Sequence, residues 1–171
     1  MTLNLNTSIE ATLAALGATY YQTVPSEHKT YCALTAQVTA HALKALGFTA
    51  GLLECQVLYG YPQGNFVVGF TDQEQPGKWN GHVVCSCQGW LIDAATTHLQ
   101  AAEPLVPDLV ITRLLPPWSS ALAKKSIDEQ RSILWLRPPP GNWQPMPAEP
   151  AELVAQEGRA LAAAVRQRLS A

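Results

Sequence analysis

Charge is scarce in this chain: Asp, Glu, Lys and Arg make up 14% of its 171 residues and almost cancel, leaving a formal charge of −2. No basic stripe interrupts that neutrality, so there is no case for a nucleic-acid partner. Long apolar runs are missing too, and none approaches the roughly 20 residues that a membrane-spanning helix requires. The stretch from Met1 to Glu10 is polar and lacks the basic-then-apolar layout of a secretory signal. Only four cysteines are present, too few for a disulfide scaffold at this size. Free thiols and a cytoplasmic address are the expectation. No internal repeat is visible. What is present is 47% hydrophobic residues, enough in a chain of this length to bury one core, and the chain reads as a single domain.

Local patterns assign the elements. Residues 8–16 have helical composition, with Ser8 as N-cap and Gly17 as stop. A polar loop through Pro25 and Lys29 leads to Thr30, which is placed to cap the next helix. In that helix Cys32, Ala36, Ala40 and Leu43 recur near a 3.6-residue period, and Gly47 ends it. Leu53, Cys55, Val57 and Tyr59 alternate with polar residues as one half-buried strand. A turn over 61–64 returns the chain along 66–70. Strands are further expected over 82–86, 90–93, 109–115 and 133–136, with a short helix near 119–125. Pro138-Pro139-Pro140-Gly141 breaks regular structure, and Leu153, Glu157, Leu161, Val165 and Leu169 mark a helix over about 149–170. The fold class is α+β, helices before and after an antiparallel sheet, with a core of about 18–137.

One constellation points at chemistry. Cys32 opens a helix, Gly81-His82 follows at a strand start, and Ile92-Asp93 ends the next strand. A thiol attacks an acyl carbon as its thiolate, a form favoured by the positive end of a helix and by a His that takes the proton. A carboxylate on the far side of the imidazole then holds it in the right tautomer. Across a hairpin, His82 and Asp93 can face the same side.

The run from Cys32 to Gly47, continued by Phe48-Thr49-Ala50, resembles the nucleophile helix of transglutaminase-like cysteine enzymes. In that family the Gly of a Leu-Gly-aliphatic-x-Ala segment follows the nucleophile by the interval that separates Gly47 from Cys32. His82, Gly89-Trp90, Asp93 and Thr96 are similar to its second half, a His strand, a turn, an aromatic and a strand ending in Asp. Papain-like enzymes and arylamine acetyltransferases share the Cys, His, Asp order. The resemblance spans about residues 30–97. It implies a papain-like or transglutaminase-like fold, with the nucleophile helix packed on an antiparallel sheet and the C-terminal helix added. Position by position, it makes Cys32 the nucleophile, His82 the general base and acid, and Asp93 the orienting carboxylate. By analogy with papain-like enzymes, Gln22 is the side-chain candidate for an oxyanion donor beside the Cys32 N–H. Two positions depart from the pattern: Tyr31 stands where the family has Gly, and Ala94 where it has Pro. The Arg-Gly-Gly lead-in of the acetyltransferases is absent, which argues against that branch.

Other residues compete for roles. His41, nine positions into the helix, reads as packed or surface-exposed, His28 as a loop residue, and His98 as the rival base. Cys85-Ser86-Cys87, with Cys55, invites a zinc reading. In a strand, however, Cys85 and Cys87 point away from His82, and the paired knuckle spacing of structural zinc sites is missing. No metal and no cofactor are expected. Trp79, just before His82, is a candidate groove wall, while Asp72, Glu74 and Lys78 read as a solvated loop, placed ahead of the His strand where it could border a substrate cleft. The expected function is a cysteine hydrolase of protein or peptide amide or isopeptide bonds. Two alternatives are an acyltransferase of transglutaminase type and a non-catalytic module binding a peptide, a partner or a second copy through the C-terminal helix.

Overall fold

The computed structural model describes residues 7–73, 76–101 and 106–171. Ser8 Oγ accepts the Ala11 N–H at 3.1 Å and opens helix α1, Ile9–Thr23. The stop expected at Gly17 does not occur. Gly17 lies inside the helix, and a Cβ there would stand at ordinary contact distance from Ile111 and Leu109, 3.4 and 3.8 Å. Pro25, after the C-cap Val24, ends the helix instead. A 3-10 turn, Ser26–Thr30, leads into α2, Cys32–Ala45. Thr30 sits within that turn rather than capping α2, and Tyr31 occupies the cap without a side-chain bond. Gly47, at φ +92°, stops α2 as its composition predicts.

Eight strands follow among the described residues: β1 Ala50–Glu54, β2 Gln56–Tyr61, β3 Gly64–Val68, β4 Val83–Cys87, β5 Trp90–Asp93, β6 Val110–Arg113, β7 Ala121–Ser126 and β8 Ser132–Leu136. The single strand expected through Leu53 and Tyr59 breaks at Cys55, whose N–H donates to the His82 carbonyl at 2.9 Å. The helix expected near 119–125 is strand β7. Ala and Lys favour helices locally, yet Ala123, Lys124 and Lys125 pair with Trp135, Leu134 and Ile133, and that pairing overrides propensity.

These strands form two antiparallel sheets of four, ordered β1-β4-β5-β6 and β3-β2-β8-β7, where one sheet was expected. The near-continuous β1 and β2, together with a Leu114–Ala123 bridge, join them. Alternation along the strands divides the core. Val84, Leu91 and Val110 face the second sheet and meet Val57, Tyr59, Ile133 and Trp135. Cys85, Cys87 and Ile92 face the helices.

Helix α3, Ala151–Leu169, turns Leu161, Ala162 and Val165 into that helical layer, against α1 and α2. Its stripe is covered within the chain. The architecture is mixed α and β: helices, first sheet, second sheet. No helix among the described residues is long and apolar enough to cross a membrane. Between β8 and α3 an irregular, proline-rich connector runs over 137–150. It is fastened at two indoles: Trp143 Nε1 donates to the Pro139 carbonyl at 2.8 Å and Trp79 Nε1 to the Gln144 carbonyl at 3.0 Å.

Candidate active site

Cys32 is the first residue of α2, where helix geometry leaves the leading N–H groups without intrahelical partners. Two contacts hold the turn that feeds it: His28 Nδ1 lies 3.2 Å from Glu157 Oε2 on α3, and Lys29 Nζ 2.7 Å from Asp108 Oδ2. His28 therefore ties α3 to the turn that precedes Cys32. His41 packs against α3, where a Cβ on Gly158 would fall 2.7 Å from its ring. The side chain of His98 lies outside the described residues.

The β4–β5 register places Cys85 opposite Ile92. One pair further on, Val84 faces Asp93, so His82 and Asp93 are diagonal neighbours on one face of the sheet. Their side chains meet: His82 Nε2 lies 2.8 Å from Asp93 Oδ2, and each residue is only 1% exposed. Trp135 Nε1 donates to the same oxygen at 2.9 Å, and the Ala95 N–H donates to Oδ1 at 3.0 Å. Both carboxylate oxygens are thus occupied. Cys32 lies near enough for its sulfur to act electrostatically on the same imidazole. The three residues read from the sequence converge in the order Cys32, His82, Asp93.

Burial alone would push this imidazole toward its neutral form. The Asp93 carboxylate and the Cys32 sulfur outweigh it and raise His82 from 6.5 to about 10. Burial likewise opposes the Asp93 charge, but His82, with the hydrogen bonds from Trp135 and Ala95, holds the carboxyl below its ordinary value. Cys55, Cys85 and Cys87 are buried, and burial pushes all three thiols up. Cys32 is the half-buried cysteine and the one that opens on a cleft. Cys85 and Cys87 pack toward the helices, away from His82. Among the described residues no cluster of three or more His, Cys, Asp or Glu side chains is arranged to hold a metal.

The cleft has a volume of about 620 Å³. Cys32, His82 and Trp79 line it, with Tyr31, strand β3, the loop carrying Gln73 and Lys78, and Pro147 and Glu149 of the connector. Trp79 is the wall its position suggested, packed edge-on against Phe70 at 5.9 Å between ring centres. Gln22 is not brought there. It lies on the exposed side of α1 and is not among the lining residues. Of the expected oxyanion donors, only the Cys32 N–H borders the cleft.

Two amides near the cleft hold its loop. Gln56 Nε2 donates to the Gly69 and Phe70 carbonyls at 3.0 and 3.1 Å, and Asn80 bonds both main-chain groups of Thr71. Gly69, at φ +81°, lets this loop touch the backbone at His82: a Cβ there would stand 2.8 Å from the His82 nitrogen. Gly69→Ala is expected to cost about 1–3 kcal/mol in urea unfolding and to slow Cys32 alkylation as His82 shifts. An unchanged midpoint would show that the loop yields freely.

Three contributors escaped sequence reasoning. Trp135 looked like an ordinary core indole, and only the sheet-to-sheet packing aims its N–H at Asp93. Gln56 sits on the polar side of an alternating strand, a pattern that says nothing about a loop so far along the chain. The connector announced itself only as a structure breaker, yet Met146 packs against the Ala33, Ala36 and Val83 cluster on which Cys32 and Trp79 also rest. Comparison with protein-family models, with curated proteins and with solved structures finds no match for this chain.

Proposed function

We propose that this protein is a cysteine hydrolase that cleaves an amide or isopeptide bond of a protein or peptide through a Cys32 thioester, on a fold similar to that of the papain-like and transglutaminase-like enzymes. The observation that carries this reading is the buried His82–Asp93 pair, its carboxylate fully hydrogen-bonded, with Cys32 acting on the same imidazole and lining the same cleft as His82. A binding module has no use for a buried imidazole held between a thiol and a carboxylate.

The chemistry follows from the geometry. The Cys32 sulfur, as thiolate, attacks the carbonyl carbon, and the oxygen of the tetrahedral adduct takes a hydrogen bond from the Cys32 N–H at the helix start. The imidazolium of His82 gives its proton to the leaving nitrogen, the C–N bond breaks, and an amine departs. Water then attacks the thioester while His82 accepts its proton. The C–S bond breaks, releasing a carboxylic acid and restoring Cys32. Asp93 keeps the ring oriented throughout. The raised affinity of His82 for its proton keeps it charged at neutral pH, as the leaving-group step requires.

Iodoacetamide provides the first test. Cys32 is expected to be alkylated well ahead of Cys55, Cys85 and Cys87, with the preference lost in His82→Ala; labelling spread evenly over the four thiols would sink the proposal. Mass spectrometry of products with an added primary amine separates water from amine as acceptor, and amine incorporation would reassign the enzyme as a transferase.

A further inference from the structure

We infer that the cleft takes its substrate as an extended peptide strand added to the open edge of β3, on the acyl side of the bond that Cys32 attacks. The inference rests on the reading of Cys32 as nucleophile and deepens it by naming how the acyl chain is held.

Strand β3 is the terminal strand of its sheet and lines the cleft through Phe66, Val67 and Val68. Its hairpin with β2 closes at the Tyr61–Gly64 pair across two residues. Such a closing pair exchanges main-chain hydrogen bonds, and alternation along an antiparallel ladder then gives the next bonded pairs to Phe66 and Val68. The N–H and C=O groups of Asn65 and Val67 therefore point away from β2. Both residues are exposed, Val67 at 39%.

This edge is undefended. The opposite edge strand of the same sheet, β7, carries Lys124, Lys125 and a register shift, devices that keep foreign strands away. Gly64-Asn65-Phe66-Val67-Val68 has no charge, no proline and no register irregularity. The direction of β3 identifies the occupant. The strand runs into Gly69, which lies against the His82 backbone. A chain paired with Asn65 and Val67 is delivered along its length to His82 and Cys32. A small amide would leave the edge unused. A second copy of this protein would need the edge but not its termination at a nucleophile. Val67 and Trp79 favour uncharged side chains on the bound strand.

Peptidyl vinyl sulfones test this directly. The Cys32 sulfur adds to the alkene, a C–S bond forms, and the neighbouring carbon takes a proton from His82. The probes are acetyl-capped tetrapeptides, mixed at three positions before a C-terminal glycine vinyl sulfone, with matched probes N-methylated on the main chain. N-methylation is expected to slow inactivation of the wild-type protein by about tenfold or more. Val67→Pro, which removes an outward N–H, is expected to slow the parent probes similarly, and Val67→Thr, which keeps it, to restore them. Equal rates for methylated and parent probes overturn the proposal, whatever Val67→Pro does to folding. Should iodoacetamide show no preference for Cys32, the nucleophile reading fails, and the edge is then tested by amide NMR of Cys32→Ala with the capped tetrapeptide amides. Shifts at Asn65 and Val67 support the inference, and their absence overturns it. A dimer in sedimentation that Val67→Pro dissociates would assign the edge to a second copy and overturn it too.

Discussion

Asp93→Ala is expected to lower the unfolding free energy by about 3–5 kcal/mol, because it breaks a buried pair and leaves the survivors without an acceptor. Three groups lose their acceptor at once, the His82 imidazole, the Trp135 indole N–H and the Ala95 N–H. None of them reaches water, since His82 and Ala95 are 1% exposed and Trp135 is fully buried. The penalty depends on pH in a direction set by the two partners. A base raised from 6.5 to about 10 stabilises the fold fully below 6.5 and loses that contribution as pH climbs through about 10. An acid lowered from 3.8 stabilises the fold above that value and loses the contribution on acidification. Wild type and Asp93→Ala should therefore differ most between about pH 4 and 6.5, and converge toward pH 10. Urea titrations at the two ends of that range measure it. A gap of constant size would mean that the pair is not charged in the native state.

His82→Ala is expected to reduce amide turnover by roughly 10²–10⁴-fold, the usual loss when one positioned group carries the proton in both directions. The fold should suffer less than in Asp93→Ala, because Asp93 keeps the Trp135 and Ala95 donors. In the wild-type protein, turnover should fall as pH rises through about 10, where His82 loses the proton owed to the leaving amine. That alkaline limb should vanish from the residual rate of His82→Ala. A variant retaining more than about a tenth of wild-type turnover would remove His82 from the mechanism.

Much of the site could be read from the chain because its information is local. Cys32 announces a helix start, His82 and Asp93 bracket a hairpin, and an antiparallel pair brings its own ends together. The C-terminal stripe and the Ser8 cap were legible for the same reason. What escaped depends on distant packing. Gly17 carries the signature of a helix stop, yet α1 runs through it to Thr23, with Leu109 and Ile111 lying over that turn. The 119–125 segment has helical composition, and its strand exists because β8 pairs with it. Cys55 interrupts an otherwise regular strand because its N–H belongs to His82. Two sheets replace one because alternation identifies a buried face without saying what covers it. Gln22 was placed by analogy, and the path of α1 carries it elsewhere.

On the proposed function, the layered build has a consequence for when this thiol becomes reactive. Cys32 belongs to the helical layer, while His82 and Asp93 belong to the sheet beneath it, and Trp135 to the sheet beyond. No single layer contains a reactive centre. An unfolded or half-assembled chain carries an ordinary cysteine, and reactivity arises only when all three layers are stacked in register. On the proposed function the protein is thereby its own proofreader: the ability to attack an amide would certify that the chain has folded, and chains that fail the certificate would leave neighbouring proteins uncut.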